Sequence, residues 1–474
     1  MDELPNLEKL SVAEKDLLIR ELWPLRDLVA QVTALQLKVT ELEARLSQNS
    51  RNSSKPPSSD GYNKPKPKSL RKPGERPTGG QKGHRGYTLK KVSEPDLVVT
   101  HAPLSFCDWC HETLGELTVV ETRQVVDLPT LRFEVAEHQV LAGQCAACGK
   151  ICRGTFPEGI SVPVQYGPAA RAAVVHLSHH HMRPVQRTAA LMGDLFELPM
   201  SEATALAAAE EAKARLEPTV ALIGQAIQAA PIAQADETGL RVAGSLHWMH
   251  VLATTMLTWV ACHAKRGKEA FDAMAILPGF MGTLIHDGWK PYRELLCKHG
   301  LCNAHHLREL TYVFEALGQA WADPLIHLRV AACHEVDDTG PPLSAAHLAD
   351  YRSRYDRILV EGEALNPLAR RSGERGPTRQ SKPANLLRRW RVYTDDVWRF
   401  ATDYNVPFTN NIAEQAVRMP KVKQKVSGCF RTKKGADTFC TVRSYLATLH
   451  KQQANLFHAL TLTFQGKIPQ PRLI

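Results

Sequence analysis

Three acidic residues stand where they could do chemistry together. Asp236 lies in IAQADETGLRV and Asp287 in TLIHDGW, each near the end of an apolar run that reads as a strand. Glu414 lies in FTNNIAEQAVRMPKVK, where Asn410 or Asn411 is placed to cap a helix and the glutamate follows in its first or second turn. Arg418 and Lys421 come at i+4 and i+7 from Glu414, on its helical face, until Pro420 disturbs the end. Converging carboxylates hold divalent metal, and cations beside them neutralise phosphate. Phosphoryl transfer needs that neutralisation more than it needs covalent chemistry. Singly, each Asp reads equally well as a turn or cap residue, and Glu414 with Arg418 as a surface pair of roughly 0.2–0.5 kcal/mol. The order strand, strand, helix is what joins them.

Metal ligands of another kind come from the cysteines. There are eleven, and an odd number after an acidic N-terminus without a signal-like apolar core leads us to expect reduced thiols and a cytoplasmic setting. Cys107 and Cys110 form one CxxC and Cys145 and Cys148 another, with 34 residues between them. Two such knuckles suit one tetrahedral zinc ion better than they suit four unrelated thiols, with Cys152 and His111 near enough to substitute. Cys302 and His305 make a single CxxH pair, too few ligands for a tetrahedral site, so His305 is expected to have a structural or substrate-positioning role. His179, His180 and His181 are consecutive, point in different directions on a helix and read as surface histidines.

The elements that must position these groups follow from periodicity. IAQADETGLRV, LHWMHVLATT and LTWVACHA read as three strands, RGKEAFDAMAILPGF as a helix and TLIHDGW as a fourth strand. A β-β-β-α-β order with carboxylates on the first and fourth strands is the skeleton of a ribonuclease H-like α/β core. Asp287 and Glu414 are 127 residues apart, too far for a simple connection, and 304–400 reads as a mostly helical insertion with a basic loop at 370–383.

The expected organisation is α+β and multidomain. Residues 1–48 carry Leu25, Leu28, Val32, Leu35, Val39, Leu42 and Leu46 in alternating steps of three and four, a leucine-zipper-like seam opened by Pro24 and suited to homo-oligomerisation. Residues 49–91 are rich in Pro, Gly and Lys and read as an extended basic arm, 92–160 as the small zinc module with strands such as LRFEVAEHQVLA, and 161–230 as helical. Within the last, RPVQRTAALMGDLF, a turn at ELPM and Ser201 as N-cap before Glu202 read as helix-turn-helix-like, or as ordinary helical packing. Residues 231–426 form the catalytic domain and 427–474 a C-terminal segment.

Charge is as unevenly spread as composition. The net charge is +10, and residues 51–91 hold 12 basic against 2 acidic side chains, leaving the remainder balanced at 47 of each. Concentrated this way, Lys55, Lys64, Lys66, Lys68, Arg71, Lys72, Lys82 and Arg85 suit DNA backbone phosphates, although a solubilising linker has the same composition. Lys421, Lys423, Lys425, Arg431, Lys433 and Lys434 form a second basic stretch beside Glu414. No apolar run approaches ~18 residues, so membrane spanning is not expected.

Seven motifs in order, NSSKPPSSD at 52–60, GGQKGHRG at 79–86, the double CxxC, ADETG at 235–239, HDGW at 286–289, CNAHHLREL at 302–310 and NNIAEQAVR at 410–418, resemble the IS66 family of bacterial insertion-sequence transposases. The resemblance spans nearly the whole chain. It implies that Asp236, Asp287 and Glu414 are a DDE triad holding two Mg²⁺ ions, with Mn²⁺ as substitute, and that the four knuckle cysteines bind zinc. The partner would be double-stranded DNA, both element ends and target. The first knuckle, CDWCHETL, lacks the glycine that often follows the second Cys in that family. A hydrolytic nuclease of the same fold, which cuts without joining, and a non-catalytic zinc-containing DNA-binding protein are the alternative readings.

Overall fold

A computed structural model describes residues 8, 10–53, 55, 59–61, 90–103, 105–129, 131–369 and 380–473. The chain divides into two units, one of residues 1–71, 164–184 and 205–474 and the other of 72–163 and 185–204.

The first unit opens with α1 (Val12–Leu46). Pro24 does not start it. Ser11 does, because its side chain accepts from Glu14 N while Glu14 Oε2 accepts from Ser11 N at 2.8 Å, a reciprocal cap that fixes the first turn twelve residues before the proline. The seam residues Leu28, Val32, Leu35, Val39, Leu42 and Leu46 are all exposed. The chain then turns on itself: Asn52 is buried, its Oδ1 accepting from Asn49 N at 2.8 Å and its Nδ2 donating to Ser47 O at 3.2 Å, and Arg51 pairs with Glu315. The expected arm therefore begins with a hydrogen-bonded turn, not an extended chain.

In the second unit the hairpin β1 (Ala142–Gln144) and β2 (Ile151–Arg153) is antiparallel, with Gly143 opposite Cys152. Only the last residue of LRFEVAEHQVLA enters a strand. Helix α2 (Pro168–Val175) belongs to the first unit and α3 (Val185–Phe196) to the second. Helix α4 (Glu202–Ala229) runs in the first unit from Ala205 on. Ser201 Oγ accepts from Thr204 N at 3.1 Å and starts α4 as expected.

The remaining strands form one five-stranded sheet: β3 (Ile232–Val242), β4 (Ser245–Ala253), β5 (Thr258–His263), β6 (Thr283–His286) and β7 (Lys298–Leu301), in the order β5-β4-β3-β6-β7. β3, β4 and β5 are antiparallel neighbours, whereas β6 and β7 run parallel to β3. The sequence reading missed β7, a four-residue strand (KHGL) without apolar alternation. Helices α5 (Lys268–Met274) and the one-turn α6 (Lys290–Arg293) flank β6. Five helices follow β7: α7 (Asn303–Leu317), α8 (Ala322–Thr339), α9 (Ala345–Leu365), α10 (Lys382–Val392) and α11 (Thr394–Thr402). They enclose a core of Leu310, Leu325, Tyr355, Leu359, Trp390 and Trp398. The chain returns to the sheet through α12 (Asn411–Ser427), α13 (Lys433–Lys451) and α14 (Leu456–Phe464).

Strand periodicity divides the sheet into two buried faces. Ala233 and Ala235 pack with Ile223 and Ile227 of α4 and Phe271 of α5, while Leu240 and Val242 pack with Val417 of α12 and Phe439 of α13. Side chains also cover the free edge of β5. Thr258 N donates to Thr448 Oγ1 at 3.0 Å and Val260 N to Ser444 Oγ at 2.9 Å, so α13 occupies the ladder where another strand would pair.

Candidate active site

Strand register sets the first two carboxylates. Ile232 faces Thr283, Ala233 faces Leu284 and Gln234 faces Ile285; Asp236 comes two residues beyond this parallel register on β3 and Asp287 two residues beyond it on the other chain segment, one residue past the end of β6. Backbone amides steady both side chains: Glu237 N donates to Asp236 Oδ1 at 2.9 Å and Trp289 N to Asp287 Oδ1 at 2.8 Å.

The third carboxylate comes from α12, and β3 itself holds that helix. Gln234 Oε1 accepts from Ile412 N at 3.0 Å and from Ala413 N at 3.4 Å, taking the first-turn amides that a helix leaves unpaired. Asn410, expected as a side-chain cap, makes no cap bond; its Nδ2 donates instead to Ala235 O at 2.8 Å. Both devices tie the start of α12 to the strand that carries Asp236. Glu414 follows in the first helical turn.

Burial pushes the Asp236 carboxyl up to about 8, and the charges of Glu237, Asp287 and Glu414 all push the same way. Two of the acids singled out in the sequence, Asp287 and Glu414, thus bear on the third, Asp236, beside the inner strands β3 and β6. They do not close on each other, however. Among the described residues, the group of three metal-capable side chains whose donor atoms all lie within 4.8 Å is Cys302, His305 and Glu414. Glu414 Oε1 is 3.6 Å from His305 Nδ1 and 3.8 Å from Cys302 Sγ, while Oε2 is 3.7 Å from an Arg308 guanidinium nitrogen. Burial and Glu414 raise the Cys302 thiol to about 12, and burial lowers the His305 imidazole.

Glu237 points to the opposite sheet face from Asp236. Its buried carboxylate accepts from Arg266 Nη2 at 2.6 Å and from the Tyr292 hydroxyl, and the Arg266 guanidinium lies over Trp289 at 4.0 Å and Trp248 at 4.7 Å. Sequence reasoning passed over Gln234, Glu237, Arg266 and Arg308. The alternation of ADETG assigns Asp236 and Glu237 to opposite faces, but a cross-strand or strand-to-helix partner has no local signal.

Of the cations, Arg418 is exposed. Lys421 is engaged, its Nζ donating to Gly239 O at 3.0 Å, and α12 runs on past Pro420 to Ser427. Lys433 pairs with Asp437, and Lys434 with Glu210 at 2.8 Å. Lys55 Nζ donates to Gln48 O at 3.1 Å. Lys64, Lys66, Lys68, Arg71, Lys72, Lys82 and Arg85 lie outside the described residues.

In the second unit the two CxxC segments form the same turn. Cys107 N donates to Glu112 O and His111 N to Cys107 O; Cys145 N donates to Lys150 O and Gly149 N to Cys145 O, all at 2.8–3.0 Å. The residue after the second cysteine is left-handed in both, Gly149 at φ 69° and His111 at φ 61°. His111 therefore adopts, at some strain, the conformation that glycine supplies in the other knuckle. Backbone amides of Cys110 and Trp109 lower the Cys107 thiol, and those of Cys148 and Ala147 lower Cys145. No three of the four thiols come within 4.8 Å of one another.

The histidine run departs from its expected place on the surface. A π-helical turn at His176–His180 stacks His176 on His180 and sets His181 Nε2 3.1 Å from His176 Nε2. Burial lowers His179 to about 3 and His180 to about 4, and only His181 of the three consecutive residues is exposed.

A mixed α/β sheet with helices on both faces, Asp236 inside β3 and not at its end as expected, Asp287 just past the end of the parallel β6, and helices inserted before the last acid is consistent with a DDE-transposase, ribonuclease H-like fold. The model of the Transposase IS66 family matches residues 163–438, and the chain belongs to that family of DDE-type transposases. A family of unknown function (DUF6444) matches residues 2–90. No curated protein matches the chain. No helix among the described residues is long and apolar enough to cross a membrane.

Proposed function

We propose that the chain binds the ends of an insertion sequence, cuts the DNA there and joins the exposed 3′-hydroxyl to target DNA, with Asp236, Asp287 and Glu414 as catalytic residues. The observation that carries this reading is the convergence of their charges on Asp236, from a strand, the end of its parallel neighbour and a helix fastened to that strand. Half-buried carboxylates around Asp236 fit a divalent cation, because the like charges that raise its proton affinity are relieved by a positive ion. Two Mg²⁺ ions, or Mn²⁺, would neutralise the phosphate and activate the entering oxygen. Asp236 and Asp287 would hold them from the sheet and Glu414 from α12, and Arg308 orients the far oxygen of Glu414. One phosphorus–oxygen bond forms and one breaks in each step, so the same residues serve cutting, with water entering, and joining, with the 3′-hydroxyl entering.

DNA would be held by the basic arm and by Arg418 and the lysines after it, tracking phosphates without reading bases. Each knuckle, with a thiol already drawn toward thiolate by amide donors, suits half of a Cys107, Cys110, Cys145 and Cys148 zinc site. The exposed stripe of α1 suits a second copy of the chain.

The test supplies a pre-cut element end, target DNA and Mg²⁺. Joined product is the expected result; cutting without joining would make the protein a hydrolytic nuclease. Measured on the same DNA, the slope of log affinity against log salt should shrink by about one for each arm lysine whose phosphate contact is lost. An unchanged slope would remove the arm from the interface.

A further inference from the structure

Two helix starts meet beside the carboxylate site. Cys302 follows the last residue of β7 and stands at the N-cap of α7, His305 lies one turn further on the same face, and Glu414 is in the first turn of α12. Asn410 N donates to Cys302 Sγ at 3.2 Å, tying the two starts together. A thiol, an imidazole and a carboxylate thus face one point, with Nδ1 of His305 buried and without a hydrogen-bond partner. Bond lengths of ~2.3 Å to sulfur and ~2.0–2.2 Å to nitrogen or oxygen put the ligands of a tetrahedral zinc ion roughly 3.3–3.7 Å apart. The observed separations from Glu414 Oε1, 3.6 Å to the imidazole and 3.8 Å to the sulfur, need only a few tenths of an ångström of contraction.

We propose that Cys302, His305 and Glu414 form a zinc site that shares Glu414 with the carboxylate site, and that zinc bound there withdraws Glu414 from Asp236 and Asp287 and stops strand transfer. The donor set selects the ion: sulfur and nitrogen suit borderline Zn²⁺, while Mg²⁺ keeps to oxygen ligands. Water takes the fourth position, and the thiol proton leaves to solvent as the sulfur–zinc bond forms. Both helix starts favour the resulting anionic ligands. The spacing of Cys302 and His305 in the sequence offered only two ligands; folding supplies the third from 109 residues beyond His305. The inhibitory consequence rests on the catalytic reading of Glu414, whereas the metal site does not.

The experiment titrates the full chain with Zn²⁺ against a chromophoric chelator and, separately, records Co²⁺ absorption. Wild type should bind one equivalent more than Cys302→Ser or His305→Ala, and its Co²⁺ difference spectrum against Cys302→Ser should show the charge-transfer band of one thiolate. Zinc needed for half inhibition of pre-cut end joining should rise about tenfold or more in Cys302→Ser. Circular dichroism and melting temperature establish that both variants fold. Equal stoichiometry in all three proteins overturns the site, as does loss in Cys302→Ser alone. A site present while zinc leaves joining untouched overturns the switch. Asp287→Asn should keep the extra equivalent; if it also keeps joining, the catalytic reading fails and the zinc site stands.

Discussion

Asp236 carries the sharpest residue-scale consequence, because the fold holds its proton affinity far above that of an exposed carboxyl. In the unfolded chain it ionises near the ordinary value of about 4, and in the folded metal-free protein near about 8. Between those limits the unfolded state has lost a proton that the folded state retains, so this contribution to stability is present at low pH and disappears as pH rises through 8. In chelator, the wild-type melting temperature should fall from pH 4.5 to pH 8. Asp236→Asn should flatten most of that fall, leaving the smaller part due to Glu237, whose carboxyl burial also raises, and should melt higher than wild type at pH 7.5. Parallel melting curves for the two proteins would place Asp236 in water. The sequence marked Asp236 by its place at the end of an apolar run. It could not mark Gln234, whose caps on Ile412 and Ala413 cross 178 and 179 residues of chain.

At the scale of elements, periodicity revealed what repeats and missed what is satisfied from elsewhere. β3, β4 and β5 were legible because alternation runs through them, and the helical insertion because its chain is too long for a loop. β7 was not, since it is four residues long and buries only Gly300 and Leu301, too few for an apolar pattern to show. Nor does the start of α1 depend on its proline, because a capping box upstream sets it. On α1 itself, Val32, Leu35, Val39 and Leu42 lie exposed at zipper spacing. Burying them against a second α1 would remove on the order of 1.5–3 kcal/mol of apolar exposure per fully covered side chain. Val32→Asp with Val39→Asp should halve the mass seen by light scattering while leaving the melting temperature within a few degrees. An unchanged mass would assign self-association elsewhere, and a monomeric wild type would leave the stripe without this role.

Across the whole molecule, elements far apart in the chain contribute to one region: the parallel strands β3 and β6 with two aspartates, α7 and its N-cap with Cys302, His305 and Arg308, and a returning helix that carries Glu414. The order of these pieces was legible from the motifs. The surroundings of Glu414 were not, because its partners are a cysteine, a histidine and an arginine from α7 and its N-cap, contacts that only the fold brings together. If the three acids act as one catalytic unit on DNA bound by other parts of the chain, Asp287→Asn separates binding from chemistry. End-DNA affinity measured by fluorescence anisotropy should stay within about twofold, while joining of a pre-cut end falls on the order of 10³-fold or more. Joining retained at the wild-type rate would contradict that shared role.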